Sequence, residues 1–221
     1  MADVTVYSPY EKIYDYYSQD GNDIILCKIR DYLLCMPSKE CPSPILTNEN
    51  PRVRLVKYLY YDTPNPLEER MPTVEQRKDI VFDPFNPVVT HGKRYRVFTQ
   101  MDVNQAELES ATTLRILTGK EIPYTPFSAT TAIRFLIFTN YTLESNLRTS
   151  VLSRTFAIEK CIIAALNGVN MQGVGSFTYA RNAHPDCGST YIYDEKMNIG
   201  RSLVIAFESM GGSPEGQEAN C

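Results

Sequence analysis

The sequence predicts an α+β fold: a mixed or mostly antiparallel sheet packed by two or three helices, with a long Pro-rich arm. Three observations predict it. Apolar residues recur at helical spacing in two stretches, 25–36 and 147–166. β-Branched runs cluster between and after them without the strict strand–helix alternation of a parallel α/β sheet. Nine of the 14 prolines fall within residues 37–92, where they break regular pairing. A single domain is expected over residues 1–210, with the arm at about 37–92 and a C-terminal tail, GGSPEGQEANC, at 211–221.

Ser8-Pro9-Tyr10-Glu11 has the form of a helix start: Ser8 caps, Pro9 suits the first helical position, and Glu11 reaches back. This helix is expected to stop near Asp20-Gly21, where a second begins. Ile25, Ile29, Tyr32, Leu33 and Met36 mark one apolar face of the second, and Pro37 ends it. In the arm, RVRLVKYLYY (52–61) reads as a strand, followed by the irregular DTPNPLEERMPTVEQRKD. KRYRVFTQM (93–101), ATTLRILT (111–118) and TTAIRFLIFTNY (130–141) read as strands. The last is apolar on both faces, with Ile133, Phe135 and Ile137 on one and Ala132, Leu136 and Phe138 on the other, so it is placed at the sheet centre. A helix capped by Ser145 follows. Leu147, Val151, Ile158, Ile162 and Leu166 form its stripe, Arg148, Arg154, Glu159 and Lys160 lie largely off it, and Gly168 stops it. SFTYA (176–180), STYIY (189–193) and SLVIAF (202–207) complete the strands.

Composition narrows the function classes. Hydrophobic residues are 43% of the chain and charged residues 22%, enough for a core and too few for disorder. The net charge of −4 argues against a dedicated nucleic-acid binder. No apolar run approaches the roughly 18 residues of a membrane span, and the start MADVTVYSPYEK has no signal-peptide pattern, so no membrane and a reducing cytoplasm are expected. Cys27, Cys35, Cys41, Cys161, Cys187 and Cys221 are scattered without a CxxC pair and with only His91 and His184 beside them. They read as free thiols, with Cys27 and Cys161 in the core, and not as a zinc site. The sequon Asn140-Tyr141-Thr142 carries no weight in such a compartment.

No motif points to catalysis. Gly168, Gly173 and Gly175 follow a helix and open a strand, the reverse of a phosphate-binding loop, and Thr118-Gly119-Lys120 fails the same test. His184, beside Pro185 and Cys187, raises a Cys–His idea, but neighbours in sequence are not the geometry such pairs use. Glu68, Glu69 and Asp79 read as solvated carboxylates. No catalytic, cofactor or metal residue is assigned, and the protein is not expected to be an enzyme. Lys93-Arg94-Tyr95-Arg96 reads either as a contact for phosphate or an acidic partner, or as a charged edge strand that discourages aggregation. Fifteen tyrosines without a tryptophan favour interfaces. The candidate assembly surface is therefore Tyr58, Tyr60, Tyr61, Pro64, Pro66, Lys93, Arg94 and Arg96.

The order of elements resembles the phage tail terminator (tail-completion) and related neck proteins. The resemblance is carried by DIILCKIRDYLL, by the strand pair LRILTGKEIPYTPFSATTAIRFLIFTNY with its Pro-containing loop, by the helix AIEKCIIAALNG, by VNMQGVGSFTYAR, and by the closing strand GRSLVIAFES. It covers roughly residues 22–36 and 94–208 and is one of pattern and order. It implies a virion protein, assembled in the host cytoplasm, that forms a ring (a homohexamer) at the neck and ends the tail tube. Its implied partners are further copies of itself, the tail tube and head-connector proteins, with DNA passing through unbound. The arm would embrace a neighbouring subunit. Another viral structural protein, such as a minor capsid or coat subunit, and a cellular protein-binding module are the alternatives.

Overall fold

The computed structural model describes residues 19–37, 47–82, 95–99, 112–125, 128–144, 153–171, 175–193 and 198–210. Their elements run α1 (Gln19–Leu33), α2 (Pro51–Tyr60), α3 (Val74–Asp79), β1 (Val97–Phe98), β2 (Thr113–Thr125), β3 (Ser128–Asn140), α4 (Tyr141–Glu144), α5 (Arg154–Leu166), β4 (Asn170–Met171), β5 (Gly175–Thr178), β6 (Gly188–Tyr193) and β7 (Asn198–Met210). This is an α+β fold with one mixed seven-stranded sheet in the order β1-β2-β3-β7-β5-β4, β6 pairing with β7 beside β5. Among the described residues every strand pairing is antiparallel except β1–β2, and an isolated bridge from Val81 to Val97 is also parallel.

β3 is central. It pairs along its whole length with β7, from Ser128 opposite Met210 to Asn140 opposite Asn198, and with β2 on its other side. Ile133, Phe135 and Ile137 are fully buried and face α1, α2 and α5 in the main core. The opposite face is only partly covered: Ala132 is buried, Leu136 and Phe138 are half-buried, and Arg134 is exposed. The expectation of burial on both faces therefore holds for one face alone. A strand can be central by pairing while its second face stays partly open.

The proline-rich region departs most from expectation. Residues 51–60 are helix, not strand. The alternation Arg52-Val53-Arg54-Leu55 imitates a strand, but the start decides. The Asn50 side chain accepts the Arg52 N–H at 2.9 Å, and Pro51 occupies a position whose missing N–H costs nothing. Val53, Val56 and Leu59 then fall on one helical face, buried with Leu55 and Tyr58. Thr73 and Gln76 close a capping box on α3 inside the stretch read as irregular. The arm, as far as it is described, is thus folded onto the core: Pro66, Pro72, Arg77 and Ile80 are buried.

Other boundaries move as well. α1 runs unbroken through Asp20-Gly21, so no helix stops there; it ends at Leu33, and Cys35 takes a left-handed turn (φ 53°) before Pro37. The helix expected from Ser8 and the tail 211–221 lie outside the described residues, as do Ser145, Leu147, Arg148 and Val151. Within the helix expected there, the described part starts at Arg154 with Ser153 as its cap residue, and Ser153 makes no side-chain capping bond. Glu144 does that work from α4, accepting the Thr155 N–H at 2.9 Å and its hydroxyl at 2.6 Å. A carboxylate at a helix N-terminus meets both the free N–H groups and the positive end of the helix dipole. Asn167 closes α5, and Gly168 follows with φ 79°. Of the strand expected at 93–101, residues 95–99 are described, and Val97–Phe98 is the strand among them.

Candidate assembly surface

The residues expected to form an outward patch are instead largely an internal seam at the C-terminal end of α2. Tyr58 is 1% exposed and Arg96 7%; Pro66 is buried, and Tyr60, Tyr61 and Pro64 are half-buried. Lys93 and Arg94 lie outside the described residues. The physical reason is the helix end. The last carbonyls of α2 have no partner within the helix and carry its negative pole, so buried cations are drawn there. Arg154 donates to the carbonyls of Tyr58 (3.0 Å), Tyr61 (2.8 Å) and Thr63 (2.7 Å). Arg96 donates to the Leu59 carbonyl at 2.8 Å and forks onto both oxygens of Asp62 at 2.8 and 2.6 Å. Arg77 repeats the device on α1, donating to the Leu34 and Cys35 carbonyls. Burial lowers the proton affinity of Arg154, and the nearby Asp62 acts against that. The Lys57 ammonium, lowered by burial, donates to the Asn48 side chain at 2.7 Å and the Leu67 carbonyl at 3.1 Å, pinning residues 61–70 from the other side.

The exposed aromatic residues lie elsewhere. Tyr124, Tyr141, Tyr191 and Tyr193 are 59, 62, 57 and 78% exposed. Tyr191 and Tyr193 stand on β6, which among the described residues pairs with β7 on one side only. Beneath Tyr191 lies a buried polar knot. Arg201 on β7 forms an ion pair with Glu159 on α5, both nearly buried. The Ser189 hydroxyl donates to Glu159 at 2.8 Å and accepts from Arg201 at 3.1 Å. The Arg201 guanidinium stacks on Tyr191 (4.3 Å) and Phe156 (4.9 Å). This knot ties α5, β6 and β7 together and fixes the orientation of Tyr191. The reading of Arg154 and Glu159 as lying largely off the buried stripe is corrected by it: they are 0 and 3% exposed, because each pairs inside the protein. The strand expected at STYIY (189–193) is present as β6, but its place at an edge was not read from the sequence; the available signal was two tyrosines two residues apart in an uncharged strand.

The remaining candidates, His184 and Cys187, flank the turn residues Pro185 and Asp186. His184 is buried and its Nδ1 accepts the Asp186 N–H at 3.1 Å. Cys187 donates its thiol toward the Thr178 carbonyl at 3.9 Å, and burial raises its pKa, whereas a nucleophilic thiol needs the opposite shift. Among the described residues no group of three or more His, Cys, Asp or Glu side chains is placed to hold a metal, and no helix is long and apolar enough to cross a membrane. A shallow cleft of about 330 Å³ between Tyr124, Thr130, Thr178, Ala206 and Glu208 holds no convergent set of titratable groups.

Cys161 supplies a pH-dependent test of the core. Burial pushes its thiol up from 9.0 to about 11, with Arg54 opposing. Above pH 9 the unfolded chain has lost this proton while the folded chain keeps it. The stabilisation is therefore complete below about pH 9 and disappears as pH rises through 11, a loss of about 2–3 kcal/mol. Urea midpoints measured at pH 8, 9.5 and 11 should fall for the natural chain and fall less steeply for Cys161→Ala. Equal slopes would place the thiol in water.

Compared with protein-family models, curated proteins and solved structures, the chain matches none.

Proposed function

We propose that the protein is a subunit of a ring at the neck of a phage virion, where it ends the tail tube and joins it to the head connector. The observation that carries the reading is the edge of β6, unpaired among the described residues, with its exposed Tyr191 and Tyr193 braced by the Glu159–Arg201 pair. Subunits that close a ring need a heterologous surface, and an open strand edge with aromatic side chains is a surface of that type. The element order resembles that of the neck proteins. The net charge of −4 suits a channel through which DNA passes without being gripped.

Native mass spectrometry and negative-stain images of the purified protein should show a closed six-fold ring, and the ring should co-sediment with tail tubes. A strictly monomeric protein that binds neither tube nor connector sinks the proposal. Helical or shell-like polymers would point instead to a capsid or coat subunit.

A further inference from the structure

The sheet treats its edges unequally. β1 and β4 are two residues long, too short to template another chain. The outer side of β2 pairs with β1 only at Leu114 and Arg115; beyond them it carries register shifts, Lys120 and Pro123, all of which obstruct further pairing. β6 has none of these devices. Its six residues, Gly188–Tyr193, contain no charge and no proline and run in unbroken register against β7. Its other side is unpaired among the described residues.

We infer that this side of β6 accepts residues 3–7 of a neighbouring copy as an added strand. Asp3-Val4-Thr5-Val6-Tyr7 alternates, has three β-branched residues, bears no charge after Asp3, and is followed by Pro9, which ends a ladder. Its five residues are one fewer than the six of β6. Val4 and Val6, on one face of the added strand, would meet Tyr191 and Tyr193 as aromatic–β-branched cross-strand pairs, worth a few tenths to about 1 kcal/mol each. The donor belongs to another copy for a geometric reason. α1 packs over β2, and the position beyond β6 is four strand spacings away, about 19 Å. The capping pattern at Ser8–Glu11 predicts a helix before α1, and the 11 residues 8–18 as helix span about 16 Å, short of that distance. The inference concerns how copies join, so it stands or falls apart from the place of the assembly in a virion.

Two full-length double variants test it: Val4→Asp with Val6→Asp in the donor, and Thr190→Lys with Tyr193→Lys in the acceptor. Sedimentation velocity should show the natural chain as an oligomer and both variants as folded monomers, with unchanged circular dichroism. Hydrogen exchange of the 188–193 amides should quicken by about tenfold or more in each variant. A synthetic peptide of residues 2–8, added in excess to the donor variant, should slow that exchange again. Three results would overturn the inference: variants that keep the natural oligomer, a peptide that leaves β6 exchange unchanged, or a natural chain that is monomeric whether or not its β6 amides are protected. In the first case a ring could persist without strand exchange, and the neck reading would survive the failure.

Discussion

Arg154→Ala is expected to lower the free energy of unfolding by about 4 kcal/mol, a large share of what a domain of this size possesses. The side chain is fully buried, and its guanidinium holds three backbone carbonyls at the end of α2 and in the turn that follows. Alanine strips the donor from the buried Tyr58 carbonyl and from the part-buried carbonyls of Tyr61 and Thr63, at about 1–3 kcal/mol for each buried group. It also removes a cation from the negative pole of α2. Arg154→Met separates the contributions, because methionine keeps most of the apolar stem and none of the donors. It should fall within about 1 kcal/mol of alanine if the carbonyls dominate. Arg154→Lys keeps the charge but loses the fork, so it should be intermediate. Urea unfolding at pH 7 reads all three. A near-neutral Arg154→Met would mean that the stem, and not the hydrogen bonds, holds α5 against α2.

That seam also shows where sequence reasoning failed. Arginines and tyrosines between prolines resemble a solvated arm, because local pattern does not report what a side chain meets from far along the chain. Arg154 reaches carbonyls more than ninety positions away, and Arg96 meets Asp62 across 34. The strand reading of residues 52–61 failed for a different reason. Local alternation was weighed above the Asn50-Pro51 start signal, although both were visible. Thr73 and Gln76 were equally visible as a capping box.

The apolar sheet was more legible. Phe135 and its neighbours at two-residue spacing, flanked by β-branched runs, placed β3 at the centre, and the pairing with β2 and β7 agrees. Periodicity reports burial directly when a strand is long and its partners are strands. It marked STYIY as a strand but not as an edge, because in β6 only Tyr191 and Tyr193 stand out. An edge is defined by what is missing beside it, and a single sequence carries that information only as the absence of charge, proline and bulge.

The Glu159–Arg201 pair joins stability to assembly. Glu159→Leu alone leaves the Arg201 guanidinium buried without its counterion, and Arg201→Met alone leaves the carboxylate with only the Ser189 hydroxyl among the contacts at the knot. Each single change should cost about 3–5 kcal/mol, because an uncompensated buried charge is far more expensive than a missing pair. The double variant should recover much of that loss, ending within about 2 kcal/mol of the natural chain, since an apolar pair of similar volume needs no desolvation of charge. Strictly additive losses would mean that water or another group neutralises the survivor. Assembly should not recover in parallel. Arg201 is the cation on which the Tyr191 ring rests, so methionine frees that ring whether or not Glu159 is also replaced. A double variant that folds well but associates weakly would separate the two duties of the knot: holding α5 to β7, and keeping the edge tyrosine aimed at a neighbour.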